Sequence, residues 1–262
     1  MPGTSEHMVQ SKNSIYVFKI IYLRQYKFGF KKTVGRNRTA STVLLVQLKE
    51  AQSMSRGSET RIRILDVAQE SILAKGFDAT SIEEIVASAE ITKSGFFYHF
   101  KDKNALAHAL IERHIVVEDE LFDDLLGRAK ELSDDPLQRV LIGLKLLAEL
   151  IEDMPNGHPG CIVATAAYQD RLFNKDVRAA NKRAVLGWRE RFRSMLDDVV
   201  LTYPMQDDVD LDHLADMFSS VAEGGIVMSR ALDNPKITSQ QILLLRSYIK
   251  LLFQPAIKGL QK

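Results

Sequence analysis

The chain has 262 residues, 45% hydrophobic and 26% charged, with one cysteine and a net charge of +1. That length holds one large or two small domains of ordinary globular composition. The single cysteine, Cys161, excludes an internal disulfide and fits a reducing compartment such as the cytoplasm, while apolar runs such as SIYVFKIIYL are too short and too broken by lysine to span a bilayer.

The near-neutral charge hides an asymmetry. Residues 1–53 carry nine Lys/Arg against two Asp/Glu, and the remainder carries 26 against 32. No helical or strand period is sustained through residues 1–53. They are expected to be an unstructured basic arm that touches nucleic acid or an anionic surface, or else an upstream mis-start ahead of a true start at Met54. Lys49-Glu50 can be encoded as a ribosome-binding sequence a short way before Met54.

From Met54 onward nearly every segment predicts a helix. SETRIRILDVAQESILAKGF places Leu65, Ala68 and Ile72 at spacings of three and four and stops at Lys75-Gly76. TSIEEIVASAE opens with Ser81 three residues before Glu84, the pattern of a capping box, and puts Ile82, Ile85, Val86 and Ala89 on one face. ITKSGFFYHF is short, and a long helix is expected from Asp102 to about Leu126. Asp135-Pro136 predicts the next start, with the helix ending near Asp153. MPNGHPG, with two prolines and two glycines, is a loop. CIVATAAYQDRLF predicts a short apolar helix. The stretch from Asn174 to Pro204 carries Val177, Ala184, Trp188, Phe192, Met195 and Val199 on one stripe. Helices 210–232 and 238–254 close an all-α chain of about nine helices. There is no internal repeat and no hairpin signal.

Three short helices before a long one suggest a helix-turn-helix, with SAEI as the turn. Helices this short are marginal alone and must share a core. Leu65, Ala68, Ile72, Phe77, Ile82, Ile85, Val86, Phe96 and Phe100 are its candidates. The run FFYHF then divides. Phe96 and Phe100 share an inward face, while Tyr98 and His99 point elsewhere with Thr92, Lys93 and Ser94. That outward set donates to phosphate oxygens and base edges. Gly95 permits close backbone approach, and Lys101 and Lys103 add charge at the start of the long helix, whose N-terminus favours phosphate. Residues 54–118 nonetheless hold eight Lys/Arg against ten Asp/Glu, so the positive potential is a patch and charge alone does not establish DNA binding.

Order and spacing carry more. GFDATSIEEIVASAEITKSGFFYHFKDKNAL closely resembles the DNA-binding domain of the tetracycline-repressor (TetR) family of transcriptional regulators. Gly76-Phe77, Thr80-Ser81, Ile85, Lys93, Tyr98-His99-Phe100, Lys101, Lys103 and Leu106 all fall in family order. The resemblance covers about residues 58–118. It implies a helix-turn-helix from Ser81 to Phe100 with Thr92 to Tyr98 as recognition helix, and DNA contacts from Ser81, Thr92, Lys93, Ser94, Gly95, Phe97, Tyr98, His99, Lys101 and Lys103. Phe97 stands where the family usually has tyrosine; Tyr98 can supply the missing hydroxyl.

The resemblance also implies that residues 119–262 bind a small effector and dimerise. Leu211, Leu214, Phe218, Val221 and Ile226, with Ile242, Leu245, Ile249 and Leu252, make both last helices strongly apolar and suit half of a four-helix interface between two copies. Gly224-Gly225 suits a close seam. Cys161, Ala164, Tyr168, Trp188, Phe192 and Met195 are candidate pocket walls as a mixed set, though each taken singly is more often plain core. The expected protein is thus a homodimeric, ligand-responsive regulator of a double-stranded DNA operator, with repression the expected mode. No cofactor, metal or membrane is expected. Two rivals use Cys161: a thiol-sensing regulator, and an enzyme pairing His158 with Cys161, for which no partner motif exists.

Overall fold

The computed structural model describes residues 56–253, Pro155 excepted. The basic arm expected over residues 1–53 lies outside the described residues. Within them there are nine α-helices and a 3₁₀ turn: α1 Arg56–Ala79, α2 Ile82–Ser88, α3 Lys93–His99, α4 Lys103–Leu132, α5 Pro136–Glu152, α6 Ile162–Tyr168, the turn Asp170–Leu172, α7 Lys175–Val200, α8 Leu211–Ala231 and α9 Ile237–Phe253. No described residue is in a strand, and no described helix is long and apolar enough to cross a membrane.

The described residues form two compact units. One holds residues 56–118 with 162–180, and the other holds 119–161 with 181–253. The first unit thus takes in α6 and the first turns of α7 as well as residues 56–118. The reason is that α6 lies on α1.

In the first unit Leu65, Ala68, Ile72, Phe77, Ile85, Phe96 and Phe100 are buried as expected, joined by Ile64, Leu106 and Leu110. Ile82 and Val86 are only half-buried, because α2 has seven residues and turns them toward its rim. Arg113 of α4 ties itself to α1, with Nη1 on Asp66 at 2.7 Å and Nη2 on the Gln69 Oε1 at 2.7 Å and the Leu65 carbonyl at 3.1 Å. At Gly76 the backbone leaves the helix with φ 88° and ψ 166°, a region that only glycine enters without strain.

In the second unit Asp135 caps α5 by accepting from the Gln138 N–H at 2.7 Å, and α5 and α8 both pack on α9. Between α8 and α9 the backbones come very close. A Cβ on Gly225 would sit 2.9 Å from the Thr238 Cα. Beside it the buried hydroxyls of Ser229 and Thr238 pair at 2.8 Å, and the Ser229 Oγ also accepts from the Thr238 N–H at 3.1 Å. Gly225→Ala should therefore overpack this crossing against main chain and cost about 1–3 kcal/mol in urea unfolding. Gly224→Ala meets nothing within 4 Å and should leave the intrachain packing intact. Equal destabilisation by the two substitutions would refute the close crossing.

Candidate nucleic-acid interface

The helix-turn-helix is built from local capping. Ser81 ends the preceding chain in an extended conformation, and its Oγ accepts from the Glu84 N–H at 3.1 Å. The Glu84 carboxylate turns mainly to Ser71 at 2.9 Å and Lys75 at 2.6 Å, which ties α2 to α1 and holds the carboxyl below its usual range. The turn between α2 and α3 uses Glu90 at φ 53°, a left-handed residue supplied without glycine. Thr92 then caps α3. Its Oγ1 accepts from the Gly95 N–H at 3.0 Å and lies 3.0 Å from the Ser94 hydroxyl.

Capping fixes the rotation of α3, and rotation sorts its rings. Phe96 is fully buried and packs against Phe100 with centroids 5.8 Å apart. Tyr98 is 83% exposed and Phe97 44% exposed. Thr92, Lys93, Ser94 and Lys101 are exposed, and Gly95 and His99 are half-exposed. Ser81 is exposed at the start of α2. Lys93 is not idle: its ammonium lies 2.8 Å from Glu83 on α2, which holds that carboxyl below its usual range. Both side chains are about two-thirds exposed (63% and 67%), so water screens the pair and a phosphate can displace it cheaply.

Lys103 behaves differently from the sequence expectation. Its ammonium donates inward to the Phe77 carbonyl, and partial burial lowers its pKa. The Phe77 N–H is held as well, donating to Gln169 Oε1 at 2.8 Å, and the Phe77 ring meets Phe173 edge-on at 4.8 Å. Phe77 is therefore gripped on both backbone groups and on its ring, four residues before the helix-turn-helix begins at Ser81. Gly76 makes the grip possible, since a Cβ there would already stand 3.1 Å from the Gln169 Oε1. Sequence reasoning missed Gln169, because its partner is 92 residues away and no local pattern announces it.

Two family models match this chain. The one described as bacterial regulatory proteins, tetR family, matches residues 64–110, and the tetracyclin repressor-like C-terminal domain matches residues 136–242. The chain belongs to the TetR family. It is a DNA-binding transcriptional regulator. Among curated TetR-family relatives, it is similar to the transcriptional regulator AcuR of Cereibacter sphaeroides, 27% identical over 165 residues that span 62% of this chain and 72% of that protein. It is also similar to the HTH-type transcriptional repressor DhaR of Mycobacterium sp., 22% identical over 171 residues, 64% of this chain and 80% of that one. Its fold matches the crystal structure of reduced E. coli NemR with TM-score 0.62 and 17% identity, over 76% of this chain and all (100%) of that one. A TetR transcriptional regulator from Chloroflexus aurantiacus gives 0.62 and 23%, over 78% and 100%.

In this TetR-family chain the six candidate pocket residues divide between the two units. Ala164 and Tyr168 belong to the first unit, with Tyr168 83% exposed. In the second unit Phe192 is buried and stacks on Phe218 with centroids 4.6 Å apart. Trp188 is half-buried, and Cys161 is buried immediately before α6. Met195 alone of the six lines the large groove of the second unit, about 670 Å³ between α4, the start of α5 and α7. Charged side chains share that groove with Leu126, Val140 and Met195. Arg191 crosses it to Asp123 at 2.5 Å and Asp119 at 2.9 Å, and Lys130, Arg139, Glu190 and Asp198 complete the charged lining. His158 uses its Nδ1 to accept from the Gly160 N–H at 3.2 Å. Among the described residues no cluster of three or more His, Cys, Asp or Glu is placed to hold a metal ion.

Proposed function

We propose that this regulator is a homodimeric repressor that reads a two-fold operator through α3 and is released by a small molecule. The observation that carries the reading is the sorting of the aromatic run. Phe96 and Phe100 are spent on the core, while Tyr98 stands 83% exposed among Thr92, Lys93 and Ser94. On this reading Ser81, Thr92, Lys93, Ser94, Gly95, Phe97, Tyr98, His99 and Lys101 face DNA. Lys103 supports them indirectly by holding Phe77. A footprint on the promoter beside its own gene tests the assignment; absence of any protected two-fold site would end it.

The effector is assigned to the large groove of the second unit. α4 supports this choice, since its Asp119–Lys130 stretch lines the groove and its first residue, Lys103, grips Phe77. A ligand that shifts α4 therefore acts on Phe77, three residues ahead of the Thr80-Ser81 entry to the helix-turn-helix. It displaces the operator only by its preference for the shifted state, so a hundredfold loss of DNA affinity needs about 2.7 kcal/mol of coupling. Reciprocity then requires operator to weaken ligand binding by the same factor. Calorimetric titration of a screened effector with and without operator measures this, and equal affinities would refute the mechanism. The thiol-sensor alternative loses support from the burial of Cys161, 6% exposed, which keeps oxidants off its sulfur.

The grip on Phe77 makes its own prediction. Gln169→Leu leaves the partly buried Phe77 N–H without its acceptor and should cost about 1–3 kcal/mol. Gln169→Glu retains an acceptor oxygen and should cost less. Urea unfolding of the two variants decides; identical curves would show that the side-chain oxygen at 169 holds nothing.

A further inference from the structure

A second groove, about 390 Å³, opens in the first unit beside the recognition helix. Arg61 of α1, His99 and Lys101 on either side of Phe100, Asn104 and His108 of α4, and Asp176 of α7 line it. Nothing in the helix-turn-helix pattern points to Arg61, which lies 38 residues before His99 in the sequence. The fold brings it there by stacking. Its guanidinium sits 5.2 Å from the centroid of the Phe100 ring, which is itself only 3% exposed. A guanidinium lying on a ring keeps its plane and presents its N–H fork along one direction.

Among the described residues neither Arg61 nor Lys101 has an ion-pair partner, although both are exposed. Two cations and two imidazoles thus line one groove against the carboxylate of Asp176, with Glu112 3.5 Å from His108 and Asp102 next to Lys101 in the chain. The adjoining 30-residue α4 starts at the edge of this groove, its first turn capped by Asp102, which accepts from the Ala105 N–H at 2.8 Å. The groove is also continuous with the recognition helix. The Tyr98 ring meets His99 edge-on at 5.0 Å, and His99 meets Phe100 at 6.5 Å. The aromatic path therefore leads from the most exposed ring of α3 to the ring under Arg61.

We propose that this groove is a phosphate-oxygen site in which Arg61, with His99 and Lys101, clamps a backbone phosphate of the operator flanking the bases that α3 reads. Arg61 is a positioning residue: it fixes register and carries no sequence information. The proposal rests on the reading that α3 enters the operator. A wild-type protein that footprints no promoter would remove that reading, whereas the experiment below fails on Arg61 alone.

The test measures binding of wild type, Arg61→Ala, Arg61→Lys and Asp176→Asn to the footprinted promoter fragment across a salt series. Arg61→Ala should lose affinity for operator and mismatched duplex alike, with the slope of log K against log salt reduced by about one. Arg61→Lys should recover most of the slope but less of the affinity, since it keeps the charge and loses the fork. Asp176→Asn should move affinity the other way. Pyrophosphate is titrated in parallel against thermal unfolding at fixed ionic strength. If the slope of Arg61→Ala is unchanged while pyrophosphate protects wild type and not the variant, the groove takes a free phosphate and the operator assignment is overturned. If neither measurement distinguishes the variant from wild type, the phosphate site itself is overturned. A change confined to the melting temperature would likewise refute the clamp, leaving Arg61 only its packing on Phe100.

Discussion

Phe100→Ala should cost about 3–5 kcal/mol and unfold the DNA-binding unit, while Tyr98→Ala, two residues away, should leave the melt nearly where it was. The difference lies in what each ring touches. Phe100 is 3% exposed, packs on Phe96 at 5.8 Å and carries Arg61 above it at 5.2 Å. Its removal leaves a cavity under a helix of seven residues that has little stability of its own. Tyr98 is 83% exposed and meets His99 edge-on. Its loss should appear in operator binding instead, together with that of Lys93→Ala. A lost phosphate contact lowers affinity for all sequences and flattens the salt dependence, whereas a lost base contact relaxes preference at one position by about 1–3 kcal/mol. Lys93 must first leave Glu83, so Glu83→Gln should raise operator affinity. Calorimetric melts beside anisotropy titrations separate the two effects. If Phe100, Tyr98 and Lys93 variants all behave alike, the inward–outward division of the run is mistaken.

What was legible in the sequence is what is local along the chain. Ser81 and Asp135 each cap a group three residues on, and both caps are present; the Thr92 cap on the Gly95 N–H appears only in the structure. The stop at Gly76 is equally local, since its φ of 88° is a property of one residue. The long α4 continues to Leu132, beyond the expected end near Leu126, carrying Gly127 at a cost of about 1 kcal/mol against the burial of Leu125 and Ala129 on either side of it. What was not legible depends on distant partners. Lys103 reads as a phosphate-facing cation, yet the Phe77 carbonyl, 26 residues away, claims it. Arg61 reads as one more surface charge until Phe100 arrives beneath it. Cys161, Ala164, Tyr168, Trp188, Phe192 and Met195 read as one mixed wall, but chemistry without a fold cannot say which residues meet.

The last two helices show the same limit in another form, and they carry the other large prediction. Of the apolar residues that suggest an interface, Leu214, Phe218, Ile226, Ile242, Leu245, Ile249 and Leu252 are buried inside this chain. A different stripe is left outward: Val227 and Met228 on α8, and Leu244, Tyr248 and Leu251 on α9, 37–70% exposed, next to the open Cβ position of Gly224. A helix apolar on two sides does not reveal from sequence which side its own chain will use. Five large apolar side chains exposed on two packed helices are a load of apolar surface that a monomer rarely leaves in water. On a two-fold interface each such residue near the axis faces its own copy, so one substitution acts twice. Leu244→Glu should therefore place two carboxylates against each other in a surface that must be stripped of water. Light scattering should give the mass of one chain, where the unsubstituted protein should give two. Operator affinity should fall about 10²–10⁴-fold, because each recognition helix then binds without the effective concentration supplied by its partner, and two helices can no longer be held about 34–36 Å apart on successive major grooves. The helical signal and the unfolding of the single chain should persist, since Leu244 is 60% exposed and supports little of the core. Leu186→Glu, on α7 and 41% exposed, is the control that should change neither mass nor binding. A Leu244→Glu protein that remains a dimer would move the interface elsewhere. One that is a monomer and still binds operator at full strength would mean that a single recognition helix suffices.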